Sequence, residues 1–200
     1  MALAAWSAGY AWDAFPASRV HVSFADNVTD PASWREISAY VIHPDCVPPQ
    51  GTSDVALLFL QRPVQGIQPG TLPPVGLLDT FKNAELQAAT FFDVGYGMLG
   101  AEGGFALTGD RRIGRVEFQK LDGNYLYLGY EPGGACMGDS GGPILVESGG
   151  VEYGVATVHE LHLKFNSNVK QDCTGNFVAQ HLDLASVVAF IQANIASHGP

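Results

Sequence analysis

About nine short runs of alternating or β-branched residues, each closed by Gly, Pro or Asn, confine this chain to a fold built from strands. They begin with RVHVSF (19–24), REISAYVIH (35–43), VALLFL (55–60) and ATFFDVGY (89–96). RIGRVEFQ (112–119), NYLYLGY (124–130), GPILVE (142–147), EYGVATVHE (152–160) and GNFVAQHL (175–182) complete the series. Only LDLASVVAFIQANIASH (182–198) reads as a helix: Leu184, Val187, Val188, Ile191 and Ile195 recur at steps of three and four, and Asp183 is placed to cap it. The expected molecule is all-β with one C-terminal helix packed on the β body. The stretches HPDCVPPQGTSD (43–54) and QRPVQGIQPGTLPPVG (61–76) are its flexible connections, and the second could join two halves.

Composition agrees, with 46% hydrophobic residues, 15% charged residues, 24 Gly and 12 Pro in 200 residues. A net charge of −10, with Arg111-Arg112 the only basic doublet, is wrong for nucleic acid, which needs clustered cations. No apolar run approaches the roughly 18 residues of a membrane span. The Ala-rich N-terminus lacks the basic region and clean apolar core of a signal peptide. Cys46, Cys136 and Cys173 form no CxxC pair, so neither structural zinc nor any other metal or cofactor is expected. One disulfide and one thiol is the natural count, the odd cysteine being either free and buried or deprived of its partner.

The chemistry concentrates in ACMGDSGGPIL (135–145). Glycines around Ser140 permit positive φ, let a substrate carbonyl approach the backbone and allow N–H groups to converge on an oxyanion. A serine hydroxyl deprotonated by a base attacks that carbonyl. The six residues GDSGGP (138–143) resemble the signature of the trypsin/chymotrypsin family of serine proteases, and VIHPDCVPPQGTSDVALLFL (41–60) is similar to the segment carrying that family's catalytic aspartate. FFDVGYGMLG, EYGVATVHE and the terminal helix extend the resemblance over residues 19–198.

The resemblance implies two perpendicular antiparallel β-barrels with a cleft between them, peptide or protein substrates, secretion and peptide-bond hydrolysis. Its first barrel is expected to be incomplete, with residues 1–70 supplying what remains of it, 71–182 the second barrel and 183–198 the helix. It makes Ser140 the nucleophile, Asp54 the residue orienting the base, and the N–H groups of Gly138 and Ser140 the oxyanion hole; His43 becomes a non-catalytic loop residue. It pairs Cys136 with Cys173 and leaves Cys46 unpaired. The substrate pocket would be formed by Gly134, Thr157, Val158, His159 and Gly175. Gly134, six residues before Ser140, stands where an aspartate selects Arg or Lys, so that specificity is not expected. His159 could narrow the pocket mouth, meet an acidic side chain, or be an exposed strand residue.

The base is missing. The family's histidine lies in TA[AG]HC, and no such string occurs. Ser7-Ala8-Gly9-Tyr10-Ala11 can be laid over it, with Tyr10 at the histidine position, 44 residues before Asp54. Losing a triad histidine costs about 10⁶-fold in turnover, or about 8 kcal/mol, and tyrosine, with a pKa of about 10, is a poor base at neutral pH. Negligible peptidase activity is therefore expected, and a truncated N-terminus would explain both this and the absence of an amino-terminal partner for Asp139. A pseudoprotease that binds protein or peptide is the alternative.

Other signals carry less. GYGMLG (95–100) satisfies G-x-G-x-x-G, but no helix is expected to follow it. HELH (159–162) falls one residue short of HExxH and lies on an expected strand. The sequon Asn27-Val28-Thr29 reads as an exposed turn, and His21 and His181 as structural residues.

Overall fold

The computed structural model describes residues 2–4, 16–46, 53–101, 104–106, 108–130, 134–161, 164–166, 169–173 and 176–198. The first part of the chain forms a four-stranded antiparallel sheet from β1 (Ala2–Ala4), β2 (His21–Ser23), β3 (Trp34–Ile42) and β4 (Ala56–Leu60), in the order β1-β4-β3-β2. β4 is paired on both edges, by β1 and β3, and its Ala56, Leu57 and Leu58 are all buried.

The second part closes into a barrel. Its strands are β5 (Phe91–Gly95), β8 (Arg112–Asp122), β9 (Tyr125–Tyr130), β10 (Pro143–Ser148), β11 (Val151–Leu161) and β14 (Phe177–His181), in the order β10-β11-β14-β9-β8-β5, with β5 returning to β10. Alternation is plain in β8, where Val116 and Phe118 are buried between exposed Arg115, Glu117 and Gln119. They meet Phe91, Leu126, Leu128, Ile144, Val146 and Phe177 in one core, each such side chain contributing about 1.5–3 kcal/mol by leaving water. The β10–β11 hairpin turns through Gly149 and Gly150 at φ +60° and +78°, the consecutive positive values that a tight two-residue hairpin turn requires. The barrel and helix thus agree with the all-β expectation, the first sheet remaining open among the described residues.

Helix α2 (Ala185–His198) buries Val187 and Ile191 against Val55 and Leu57, with Leu184 and Phe190 packed alongside. Two details differ from the sequence reading. Ile195 is 44% exposed although it continues the apolar recurrence, while His198 at the helix end stacks on Phe59 of β4. Asp183 does not cap the helix: its Oδ2 accepts the Leu78 N–H at 2.7 Å and its Oδ1 faces His181 Nδ1 at 2.5 Å. His181 Nε2 lies 3.1 Å from the Gly123 carbonyl, so this buried histidine ties the barrel end to the segment entering α2.

The short helix α1 (Asn83–Ala88) and the hairpins β6–β7 (Leu99–Ala101, Gly104–Ala106) and β12–β13 (Lys164–Asn166, Val169–Asp172) had no clear sequence signal. The connection 61–76 touches the barrel, where Thr71 bridges Tyr153 and accepts the Gly154 N–H at 3.0 Å. Among the described residues no helix is long and apolar enough to cross a membrane.

Candidate active site

Two successive turns shape the serine loop. Asp139 N–H bonds the Cys136 carbonyl at 3.0 Å and Gly142 N–H bonds the Asp139 carbonyl at 2.7 Å. The third residue of each turn is a glycine at positive φ, Gly138 at +99° and Gly141 at +88°, as type II geometry requires. Ser140 therefore occupies an exposed corner. The Met137 carbonyl accepts the Met98 N–H at 2.8 Å, so the planar trans peptide directs the Gly138 N–H to the opposite side. Among the described residues, neither Gly138 nor Ser140 spends its N–H on a backbone carbonyl. Those are the two groups expected to form the oxyanion hole.

Asp139 anchors the loop from beneath. Its Oδ1 accepts the Gly97 N–H at 2.6 Å and its Oδ2 the Cys136 N–H at 2.8 Å. Gly95 and Gly97 leave the room: a Cβ would fall 1.8 Å from Asp139 Oδ1 at the first and 2.2 Å from Oδ2 at the second. Burial raises the Asp139 pKa despite both N–H bonds and the Arg112 charge. Burial, then the nearby Asp139 carboxylate, pushes Asp93 up to about 7. Asp93 is 5% exposed, and its Oδ1 has no hydrogen-bond partner among the described residues. No sequence motif marks this acidic pair.

The loop is fastened to β11 at one residue, Val158, which accepts the Gly141 N–H at 2.8 Å and donates to the Gly142 carbonyl at 2.9 Å. The next residue, His159, places Nδ1 2.6 Å from Asp54 Oδ2. Asp54 is 2% exposed, just before β4, and its N–H reaches Gln180 Oε1 of β14 at 3.4 Å. It thus stands between the first sheet and the barrel. Cys46 Sγ lies 3.7 Å from Asp54 Oδ1, and burial, with the Asp54 charge, pushes this free thiol up to about 11. The Tyr125 ring stacks on the imidazole at 5.2 Å.

A chain with this barrel and this serine turn is matched by the family model for trypsin over residues 15–164, three quarters of its length. The chain belongs to the trypsin family. No curated protein matches it. The trypsin-family match spans Asp54, Ser140 and His159, and the family is one of serine proteases that act on proteins or peptides.

The trypsin-like reading also pairs Cys136 with Cys173, and these form a disulfide with Cα atoms 5.3 Å apart. Of the pocket residues, Gly134 is half-buried next to fully buried Ala135, Thr157 and Val158 are buried, and His159 keeps a side chain 19% exposed. Thr157 Oγ1 has no hydrogen-bond partner among the described residues. Gly175 and Tyr10 lie outside the described residues. His43 sits in a turn, its Nδ1 accepting the Asp45 N–H at 3.1 Å and its ring meeting Phe190 of α2. GYGMLG runs into β6 rather than opening a helix, and its Gly95 and Gly97 instead make room for Asp139.

Proposed function

We propose that this trypsin-family protein hydrolyses peptide bonds through an acyl-enzyme at Ser140. The observation that supports the reading is the pair of glycine turns that exposes Ser140 while, among the described residues, no backbone carbonyl takes the Gly138 or Ser140 N–H. A substrate carbonyl oxygen placed between them gains both hydrogen bonds as it becomes an oxyanion. Gly134 in place of an acidic pocket floor favours small or apolar side chains over Arg and Lys. The Cys136–Cys173 disulfide suits an oxidising, extracellular setting.

This sequence contains no TA[AG]HC string, and a triad of this kind without its base keeps only about 10³ to 10⁴ over water. The same absence favours a second reading, a pseudoprotease that retains the cleft to bind a peptide or protein. Fluorophosphonate labelling and casein cleavage by the full chain, compared with Ser140→Ala, separate the two. The peptidase reading expects labelling at Ser140 and cleavage that vanishes in the variant. Saturable peptide binding with neither labelling nor Ser140-dependent cleavage would establish the pseudoprotease instead.

A further inference from the structure

We infer that His159 is the general base for Ser140, oriented by Asp54 from a strand position where the family pattern has no histidine. The inference rests on the reading of Ser140 as nucleophile. An ionised carboxylate only accepts hydrogen bonds, so the 2.6 Å contact with Asp54 Oδ2 puts the imidazole proton on Nδ1 and leaves the Nε2 lone pair open. Cys46, held protonated, donates to the other Asp54 oxygen, and Tyr125 fixes the ring plane. The ring is therefore held on one edge and one face, and its side chain is still partly exposed.

Backbone hydrogen bonds bring the strand that carries His159 against the serine turn. Pro143 pairs with Thr157, and Val158 bonds both Gly141 and Gly142. Because Val158 is hydrogen-bonded to Gly141 and Gly142, His159, the next residue along β11, adjoins the turn that carries Ser140. No hydrogen bond joins Ser140 to the ring in the free protein. Serine has three staggered rotamers within reach, and such contacts commonly close only when substrate binds.

The proton balance is complete. As Ser140 Oγ bonds to the carbonyl carbon, its proton passes to His159 Nε2 and the carbonyl π pair moves to the oxygen. The imidazolium then gives that proton to the leaving amine as the C–N bond breaks. Water repeats the sequence on the acyl-enzyme, its proton going to Nε2 and then to Ser140 Oγ.

The titratable groups around the ring are Asp54 and Cys46 ahead of β4, Tyr125 of β9 and Glu160 of its own strand. Asp93, raised to about 7 by burial and by Asp139, lies on the other side of the serine loop, so pH profiles are to be measured in an Asp93→Asn background as well. The rate of fluorophosphonate labelling should rise with pH as the base loses its proton. His159→Gln should lower that rate by about 10² to 10⁴-fold and flatten the profile, and free imidazole should restore labelling of His159→Ala. A histidine that merely joins sheet to barrel would show no imidazole rescue. If His159→Gln labels at the wild-type rate while Ser140→Ala does not label, the inference fails and the peptidase reading stands. Equal failure of wild type and Ser140→Ala to label overturns both. Should the His159 variants not fold, a flat wild-type profile overturns the inference, and so does Tyr10→His raising turnover with no change in that profile.

Discussion

Asp93 makes folding of this protein sensitive to pH. Its carboxyl is raised to about 7 by burial and then by Asp139, whereas an unfolded aspartate titrates near 4. Between about pH 4 and 7 the unfolded chain releases a proton that the folded chain keeps, so rising pH favours unfolding. The stabilising effect is fully present below the unfolded pKa and is lost as pH rises to the folded one, a difference on the order of 4 kcal/mol. Asp139 shifts in the same direction. Asp93→Asn should therefore raise the thermal midpoint at pH 8 and flatten its dependence between pH 4 and 8. An unchanged slope in the variant would mean that Asp93 is not the group responsible. Ser140 and Asp54 were legible because each lies in a distinctive local string. Asp93 was not, since its alternating strand FFDVG gives no sign that Asp139, 46 residues later, packs against it.

At the scale of elements, the β5 end and the serine loop act as one unit through the Asp139 carboxylate. Gly97→Ala would bring a Cβ to within 2.2 Å of Asp139 Oδ2, displacing the carboxylate and releasing the Cys136 N–H. The expected result is a slower fluorophosphonate reaction at Ser140, by more than about tenfold if one oxyanion donor is lost. Gly70→Ala, with nothing within 4 Å, is the matched control and should label normally. Equal labelling of both variants would show that Asp139 does not support the loop. The strands themselves were readable from period-2 alternation, and α2 from its 3.6-residue recurrence. The end of that helix was misread because capping depends on which donor a carboxylate meets. Leu78, 105 residues away, won Asp183 from the helix.

For the whole molecule, the Cys136–Cys173 bridge links the serine loop to the segment entering β14 across a separation of 37 residues. A loop of that size corresponds to about 4 kcal/mol of unfolded-chain entropy, with measured effects of about 2–4. Denaturant unfolding with both cysteines reduced should show a lower midpoint of that magnitude, and an unchanged midpoint after verified reduction would refute the estimate. The sequence by itself determined the barrel strands and the serine turn, because alternation and turn closure act over two to four residues. It also determined the family, through GDSGGP and the aspartate segment. Only the tertiary structure decided what Asp54 meets. The contact with His159 spans 105 residues and depends on a register shift between Val158 and Glu160 in β11. Such an irregularity re-aims a side chain without leaving a mark in the local pattern.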